Sequence, residues 1–358
     1  SWGVPGSLEL KPEITAPGGS IYSVNGAHKG DGAHTSHDAY ETMSGTSMAS
    51  PQVAGMAAVV AQYIRENGLA AKTGLTVRQL TNSLLMSTAT PLKGYDDNAG
   101  EYTYSVMNQG ADLANVGNAV SAASYILMKD NQSGTAADGK VKAEFGDDPE
   151  RTGEYSFEFS INNLSGTVQE YTFSTDLFTQ DIFAARYGED SDATTFMMDL
   201  LTASLAANVT YDVDGKTIVP TVGYECDVNK DGKTDAADAQ AILNYTTGAN
   251  DGSTYDLTVA DINKDGKVNS YDAYLFLSQM KTDAVQVPVG TPVNVKVTIK
   301  LTAETKAYLD QYYTNGAYVE GYVYVGTNNT DDGAMLPVHS IPMLGFYGNW
   351  SDASMLDT

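Results

Sequence analysis

Positive charge is scarce in this sequence of 358 residues, which has 20 Lys and Arg against 45 Asp and Glu and a formal net charge of −25. An acidic protein repels phosphate backbones and anionic lipid head groups. Nucleic acids and membrane surfaces are therefore poor partners for this chain, whereas cations are better ones.

Cysteine and long apolar runs are also nearly absent. The single Cys226 cannot form an internal disulfide, so the cysteine content assigns the chain to no redox compartment. The longest apolar run, residues 53–61, is interrupted by Gly55 and is far shorter than the ~20 residues that span a bilayer. The sequence thus predicts no membrane-spanning segment.

The length predicts about two or three domains, and a hydrophobic share of 42 % is enough to build packed cores. The sequence opens with Ser-Trp-Gly and closes on SDASMLDT, and neither end has the features of a targeting signal. We therefore expect the sequence to be an internal piece of a longer protein.

The first 130 residues favour helices after a start that is rich in Gly, Pro and Ser. Residues 48–64 are small and apolar with almost no charge, which is typical of a helix buried on nearly all sides. Apolar spacing near 3.6 predicts two further helices at residues 77–86 and 111–129.

From Gly153 onwards the apolar period changes to two. Alternation of apolar and polar residues, bounded by Asn and Gly turns, predicts half-buried strands and hence an antiparallel sandwich. The predicted strands cover residues 155–161, 171–174, 287–302, 318–325 and 341–350.

Residues 224–280 contain two copies of one segment, 34 residues apart. Each copy has oxygen-bearing side chains at positions 1, 3, 5, 9 and 12 of a twelve-residue loop and Gly at position 6, a spacing that wraps a loop around calcium. The side-chain ligands would be Asp227, Asn229, Asp231, Asp235 and Asp238 in the first loop, and Asp261, Asn263, Asp265, Asn269 and Asp272 in the second.

Lys233 and Lys267 would contribute backbone carbonyls to the same two sites. The pattern therefore predicts two bound calcium ions, with a solvated acidic turn as the alternative for each loop. Without calcium the loop carboxylates repel one another, so metal binding should supply folding free energy.

Both loops have Asp at position 12, where ordinary EF-hands have Glu, and a short helix is predicted after each, at residues 239–245 and 273–280. In these features residues 226–280 resemble the type I dockerin. The resemblance implies that the two helices present a surface to a cohesin domain of a scaffoldin. It also implies partner contacts at loop positions 10 and 11, which here are Ala236, Ala237, Ser270 and Tyr271.

Residues 44–55, SGTSMASPQVAG, place Ser47 among small residues immediately before an apolar helix. Small neighbours give an acyl group access to a nucleophilic Ser, and a helix N-terminus favours a developing oxyanion. An N-cap on a buried helix is the other interpretation of these residues, and composition does not decide between the two.

The motif SGTSMASP, with SWG at residues 1–3 and LKPEITAPGG at residues 10–19, resembles the subtilisin-like serine peptidases. The similarity is close to the large cell-envelope proteinases of the lactocepin and complement-cleaving type. The stretch MNQGADLANVGNAV at residues 107–120 is similar to the end of that catalytic domain, with Asp112 where Gly is usual. The resemblance implies that Ser47 is the nucleophile and that its own N–H is one oxyanion donor.

The same resemblance places the catalytic Asp and His and the oxyanion-hole Asn upstream of the SWG stretch, so this chain alone is expected to be inactive. His28, His34 and His37 do precede Ser47. They fall in a loop where the family has no catalytic residue, and we expect them to be exposed loop histidines.

The strands after residue 131 resemble the fibronectin-III-like domain that follows the catalytic domain in these peptidases. The predicted fold is therefore mixed and multidomain. An α/β subtilase fragment occupies residues 1–130, a fibronectin-III-like antiparallel β-sandwich occupies 131–222 and 284–358, and an α-helical dockerin with paired EF-hand-like calcium loops is inserted at 223–283. Such an insertion costs little because closure entropy grows slowly with loop length, and close dockerin termini would make it easier.

Together these features predict part of a secreted serine endopeptidase, extracellular or associated with the cell surface, that acts on proteins or peptides. It would dock through its calcium-loaded dockerin onto the cohesin of an extracellular scaffold. A non-catalytic, calcium-dependent cohesin-binding adaptor is the alternative, and a calcium-stabilised structural spacer is a third.

Overall fold

The computed structural model describes residues 7–24, 40–96, 100–181, 202–327, 330–331 and 334–350. The SWG stretch, His28, His34 and His37, and the closing residues 351–358 lie outside these ranges. In the described ranges no helix has the length and apolar character needed to cross a membrane.

Helices and two small hairpins make up the first part of the chain. The hairpins pair β1 (Ile21–Val24) with β2 (Tyr40–Met43), and β3 (Lys93–Asp96) with β4 (Gly100–Thr103). The helices are α1 (Thr46–Glu66), α2 (Leu69–Thr73), α3 (Val77–Ser87), α4 (Val106–Gln109) and α5 (Val116–Ser121). The predictions of helices at 48–64 and 77–86 are thus confirmed by α1 and α3.

The expected burial of the first helix is wrong. Only Val60 and Ile64 of α1 are fully buried, and Val59 is half exposed. The apolar composition of this helix therefore does not correspond to a fully enclosed position among the described residues. Its C-terminal half packs on α3 and α5, where Leu80 and Leu84 complete a small apolar cluster.

The single helix predicted at 111–129 is also wrong. Residues 116–121 form the short α5, whereas residues 124–128 form strand β5 (Ser124–Met128). Strand β5 pairs with a later strand through residues that include Ile126. Long-range pairing therefore overrides the local helical spacing.

Strands dominate the remainder of the chain. In chain order they are β6 (Ala143–Asp148), β7 (Glu154–Asn163), β8 (Gln169–Gln180), β9 (Thr202–Ser204), β10 (Ala207–Val213), β11 (Lys216–Ile218), β12 (Val285–Val287), β13 (Val293–Leu301), β14 (Ala317–Gly326), β15 (Thr330–Asp331), β16 (Ala334–Met335) and β17 (His339–Tyr347). Within the described ranges, a 3₁₀ turn (Thr135–Asp138) and four α-helices accompany them: α6 (Ala236–Thr246), α7 (Leu257–Ala260), α8 (Ser270–Gln279) and α9 (Ala303–Tyr312).

Two sheets share one hydrophobic core. The first has five strands in the order β11–β10–β13–β7–β5, and the second has six, in the order β12–β8–β14–β17–β6 with β9 paired to β8. The strand pairs of both sheets are antiparallel except β17 with β6, which run parallel and depart from the predicted antiparallel arrangement. Apolar residues at alternate positions, such as Phe157 and Val297 in the first sheet and Phe173 and Val323 in the second, form the common core.

Strand β5 joins the first sheet although it lies within the range predicted as the peptidase fragment. It pairs with β7, with Ile126 opposite Ile161. The helical part of the chain and the two sheets are therefore connected by a shared strand as well as by packing.

The duplicated segment leaves the sheets and returns to them at neighbouring points. Thr221 and Lys281 exchange two backbone hydrogen bonds, of 2.9 and 3.0 Å. The next residue, Thr282, pairs with Phe173 of β8 through its amide and its hydroxyl. Between these points α6, α7 and α8 enclose an apolar cluster of their own, which includes Ile242 and Phe276.

Candidate functional site

Ser47 lies in the first turn of α1 and is exposed to solvent. The N-cap position is occupied by Gly45, with φ 152°, and no side chain caps the helix. Ser47 is therefore not the N-cap residue, so the N-cap interpretation of this serine is wrong. Its amide belongs to the first turn, where N–H groups have no acceptor within the helix.

The start of α1 is fixed by a close approach of two backbone segments. The amide of Gly45 donates a 2.7 Å hydrogen bond to the carbonyl of Gly18, and the amide of Ser20 donates to the hydroxyl of Ser44. A Cβ on Gly18 would lie 2.7 Å from the Gly45 carbonyl oxygen, so only glycine fits at position 18. Gly18 of LKPEITAPGG thus allows the motif around Ser47 to be held in place.

The predicted end of the peptidase segment contacts its beginning. Thr15 pairs with Asp112 and Ala114 through backbone hydrogen bonds of 2.9 Å each. Asp112 has φ 93°, a left-handed conformation that glycine adopts without strain. This conformation gives a physical reason for a preference for glycine at this position.

Asp112 is fully buried next to β14. Its Oδ1 accepts a 2.6 Å hydrogen bond from the hydroxyl of Tyr322, and burial raises the pKa of this carboxyl well above its usual range, although that bond acts in the opposite direction. Its Oδ2 has no hydrogen-bond partner among the described residues. Sequence reasoning identified Asp112 only as a departure from the family pattern.

A second buried acid, Glu320, lies on the same strand as Tyr322. The hydroxyl of Ser105 and the amide of Val106 donate to its Oε2, at 2.5 and 2.9 Å. Burial raises the pKa of Glu320 to about 7, although these hydrogen bonds act in the opposite direction. Sequence reasoning missed this residue, and its only signal was a single acid inside the apolar strand YVEGYVYV.

His339 is the one histidine within the described part of the chain, and it does not face Ser47. Its Nε2 is 2.7 Å from the hydroxyl of Ser124 and its Nδ1 is 3.0 Å from that of Ser87. Burial lowers the pKa of His339 to about 4, so the ring is neutral at physiological pH. It joins β17 to α3 and β5.

The first duplicated loop is closed by its own acidic side chains. Asp227 accepts N–H groups from Asp231 and Gly232, at 3.0 and 2.8 Å. At the end of the loop Asp238, which is fully buried, accepts N–H groups from positions 2, 3 and 9, at 2.7, 3.2 and 2.8 Å. Lys230 and Gly232 both have positive φ, which produces the tight turn expected at position 6.

The second loop repeats this geometry. Asp261 accepts N–H groups from Asp265 and Gly266, at 3.1 and 2.9 Å, and the buried Asp272 accepts from positions 2, 3 and 9. Lys264 and Gly266 have the same positive φ as their counterparts. The duplication in sequence is therefore a duplication in structure.

Burial raises the pKa of Asp238 and of Asp272, although three amides on each carboxylate act in the opposite direction. Across the ranges that the structure describes, no three His, Cys, Asp or Glu side chains are grouped so that they could hold a metal ion. The loop carboxylates instead bond to loop amides. The loops have the backbone turn and the hard oxygen donors that calcium requires.

The four predicted partner-contacting residues differ in exposure. Ala236 is 3 % exposed and packs within the cluster of α6 and α8, whereas its counterpart Ser270 is exposed. Ala237 and Tyr271 are partly exposed, and the Tyr271 ring stacks on that of Tyr274 with centroids 5.8 Å apart. The two copies therefore do not present equal surfaces.

Both helices of the duplicated segment also contact the rest of the chain. Gln240 of α6 is 2.5 Å from the hydroxyl of Thr305. Tyr274 of α8 is hydrogen-bonded to Lys93 and lies 3.4 Å from Glu101. No feature of the sequence indicated these contacts.

Comparison with known families defines two segments of this chain. Residues 2–141 match the subtilase family, and residues 225–279 match the dockerin type I domain. The chain therefore combines a subtilase-family segment with a type I dockerin segment.

Individual relatives support the same assignment. The chain is 24 % identical over 365 residues to a PI-type proteinase of Lactococcus lactis subsp. cremoris, an alignment that covers 100 % of this chain and 14 % of the relative. It is 34 % identical over 183 residues to a C5a peptidase of Streptococcus pyogenes, covering 51 % of this chain and 14 % of that relative. The chain thus spans about 14 % of the length of these curated relatives.

Similarity to solved structures is weak. A family 123 glycoside hydrolase from Clostridium perfringens aligns with 54 % of this chain and 20 % of its own at 4 % identity and a TM-score of 0.21. A score this low supports no inference about the fold.

Proposed function

We propose that this chain is part of a secreted subtilisin-like serine endopeptidase in which Ser47 is the acyl-forming nucleophile. The observation that carries the proposal is the exposed Ser47 in the first turn of α1, after Gly45, within a segment that matches the subtilase family. The first-turn amide of Ser47 would donate to the oxyanion of a tetrahedral intermediate. Protein or peptide chains would be the substrates.

The Ser47 hydroxyl needs a general base to become a nucleophile. The described histidine, His339, is bonded to other serines and is not available as this base. The resemblance to the subtilisin-like peptidases implies that the base and its orienting Asp lie elsewhere in the parent protein. We expect the 358-residue chain on its own to be inactive.

A fluorophosphonate probe tests this proposal on the full-length parent. Labelling that is abolished by Ser47→Ala and retained in Ser50→Ala, which changes an exposed serine of the same motif, would support the nucleophile assignment. Absence of labelling at Ser47 in the parent would instead favour the non-catalytic adaptor.

We further propose that residues 223–283 bind two calcium ions and dock onto a cohesin domain of an extracellular scaffold. The side-chain ligands and the carbonyls of Lys233 and Lys267 would be those predicted from the loop spacing. The duplicated turn geometry and the match to the dockerin family support this assignment. Bound cations would offset the charge of the buried Asp238 and Asp272.

In this proposal the two sheets form a fibronectin-III-like domain that is interrupted by the dockerin, and the protein works at the cell surface or in the medium. Calcium titration calorimetry on the chain tests the metal sites. Two sites lost separately in Asp227→Ala and Asp261→Ala are expected, and absence of calcium-dependent heat in the unmodified chain would contradict them.

A further inference from the structure

The two helices of the dockerin segment meet the rest of the chain at equivalent positions. Gln240 and Tyr274 occupy the same place in the two copies, 34 residues apart, and both are buried, with 5 % and 8 % exposure. Helix α6 packs against β10, and α8 packs against β8 and β9. The face that both copies form together is therefore turned towards the chain's own sheets.

The contact of α8 depends on a small charged cluster. Lys93 of β3 donates a hydrogen bond to the Tyr274 hydroxyl, and its Nζ lies 4.9 Å from the centre of the Tyr274 ring. Glu101 of β4 lies 2.9 Å from the same Nζ and accepts a 3.4 Å hydrogen bond from Tyr274. The hydrogen bonds to Tyr274 and Glu101 hold the pKa of Lys93 above its usual value although burial opposes them, so Lys93 stays charged at physiological pH.

The contact of α6 is a buried polar one. The Thr305 hydroxyl lies 2.5 Å from Gln240 Oε1 and 2.9 Å from the carbonyl of Ala206. The Gln240 amide in turn donates to Asn244, one turn further along the helix. This chain of polar groups joins α6 to the start of α9.

Polar groups make up these two contacts, and the described residues around them leave open space. A cleft of about 500 Å³ remains between the two helices, strands β4, β8 and β9, and helix α9. Two of the predicted partner contacts, Ser270 and Tyr271, line this cleft and so face the sheets, although Ser270 is open to solvent. Interfaces between domains are more polar than hydrophobic cores, and the domains that form them can move apart. The two contacts described here are of this polar kind.

We propose that the chain covers the two-helix face of its own dockerin through the Lys93–Glu101–Tyr274 and Thr305–Gln240 contacts, so that a cohesin reaches this face only after the dockerin has swung away. The requirement for opening rests on the proposed cohesin docking, whereas the intramolecular contact does not. Only open molecules would then bind a cohesin, so the apparent affinity for the cohesin would be the intrinsic affinity multiplied by the open fraction.

Hydrogen exchange measured by mass spectrometry tests the closed contact without any partner. In the calcium-loaded 358-residue chain, Lys93→Ala combined with Thr305→Val is expected to speed exchange in α6 and α8 roughly two- to tenfold, the effect of losing polar contacts of this kind. Both substitutions lie outside the dockerin, and α7 provides an internal reference. Lys129→Ala is the matched control, because it removes a 2.6 Å ion pair with Glu158 that does not involve the dockerin. Unchanged exchange in the double variant would overturn the proposal.

A reversible lock tests the consequence for binding. Cysteines at Thr305→Cys and Gln240→Cys, joined by a short reducible bis-thiol reagent, should weaken binding of a panel of type I cohesins at least tenfold, and reductant should restore it. Equal binding by the locked and reduced chains would overturn the requirement for opening while leaving cohesin docking intact. The Lys93→Ala/Thr305→Val variant tests the docking function itself. If this variant binds no cohesin, both the docking function and the requirement for opening are refuted. Hydrogen exchange would still decide whether the two-helix face is covered.

Discussion

Four buried carboxylates, in two regions of this protein, differ in the hydrogen bonds that their oxygens accept. In the dockerin segment, Asp238 and Asp272 each accept three amide hydrogen bonds from their own loop. At the junction of β14 with residues 105–112, Glu320 and Asp112 each have one oxygen without a partner among the described residues. Burial raises the pKa in all four cases.

The two pairs differ because the loop motif supplies hydrogen-bond donors from neighbouring residues, whereas the packing interface depends on donors that are distant along the chain. Within a loop of twelve residues the chain folds its own amides around each carboxylate, and a bound cation can compensate the remaining charge. At the interface the donors come from distant elements, and among the described residues they bond to only one oxygen of each carboxylate. We therefore expect the stability of the dockerin segment to depend on calcium, and the stability of the junction at β14 to depend on pH.

Calcium removal should have the largest effect and should act on one region only. A ligand at a thousandfold excess over its dissociation constant stabilises the folded state by about 4 kcal/mol per site. Chelation is therefore expected to expose residues 227–280 to fast hydrogen exchange while leaving strand β14 protected. Equal exchange of the dockerin segment with and without calcium would contradict the metal sites.

Glu320→Gln should have the next largest effect and should act at high pH. The unfolded chain releases this proton near pH 4.5 and the native state near pH 7, so the native state binds more protons between these values and loses stability as pH rises. Since the change from 4.5 to about 7 corresponds to roughly 3 kcal/mol, the variant should be more stable than the unmodified chain by about that amount at pH 8 and similar to it at pH 4.

Urea denaturation at the two pH values measures this difference. Glu158→Gln is a control at an exposed acid on the neighbouring sheet, where no gain at pH 8 is expected. A Glu320→Gln variant that is equally stabilised at both pH values would show that packing, and not ionisation, causes the effect.

Asp112→Gly should stabilise the protein by about 1 kcal/mol. Glycine relieves the strain of φ 93° and removes a buried acid, although it adds conformational freedom to the unfolded chain. Tyr322 keeps an acceptor, because its hydroxyl is also 3.0 Å from the carbonyl of Gly110.

Asp112→Asn separates the two causes, because it removes the charge and keeps a side chain at positive φ. Thermal unfolding of both variants at pH 7 provides the measurement. A destabilised Asp112→Gly variant would mean that the bond to Tyr322 outweighs the strain.

Local patterns predicted much of this protein from sequence. The period-two alternation located the main strands of both sheets, and the spacing in the duplicated segment located two loops with a turn at Gly232 and Gly266. The apolar spacing at 77–86 predicted α3, whose start at Thr76 is fixed by a capping box with Gln79. Each of these features depends on residues a few positions apart.

Errors arose where distant residues decide the structure. Strand β5 was predicted as helix because its pairing with Phe159 and Ile161 of β7 cannot be read from local spacing. The buried acid Glu320 was missed for the same reason, since its donors Ser105 and Val106 are more than two hundred positions away along the chain.

The sequence by itself determined the two oxygen-rich loops and the position of Ser47 at the start of a helix, because twelve or fewer consecutive residues encode each of them. Tertiary structure alone decided which buried carboxylates have an oxygen without a hydrogen-bond donor among the described residues, and which face of the two duplicated helices packs against the sheets. Those properties depend on contacts such as Lys93 with Tyr274, which join strands and helices that the sequence keeps far apart. Local hydrogen bonding follows from spacing, whereas burial follows only from how the elements pack.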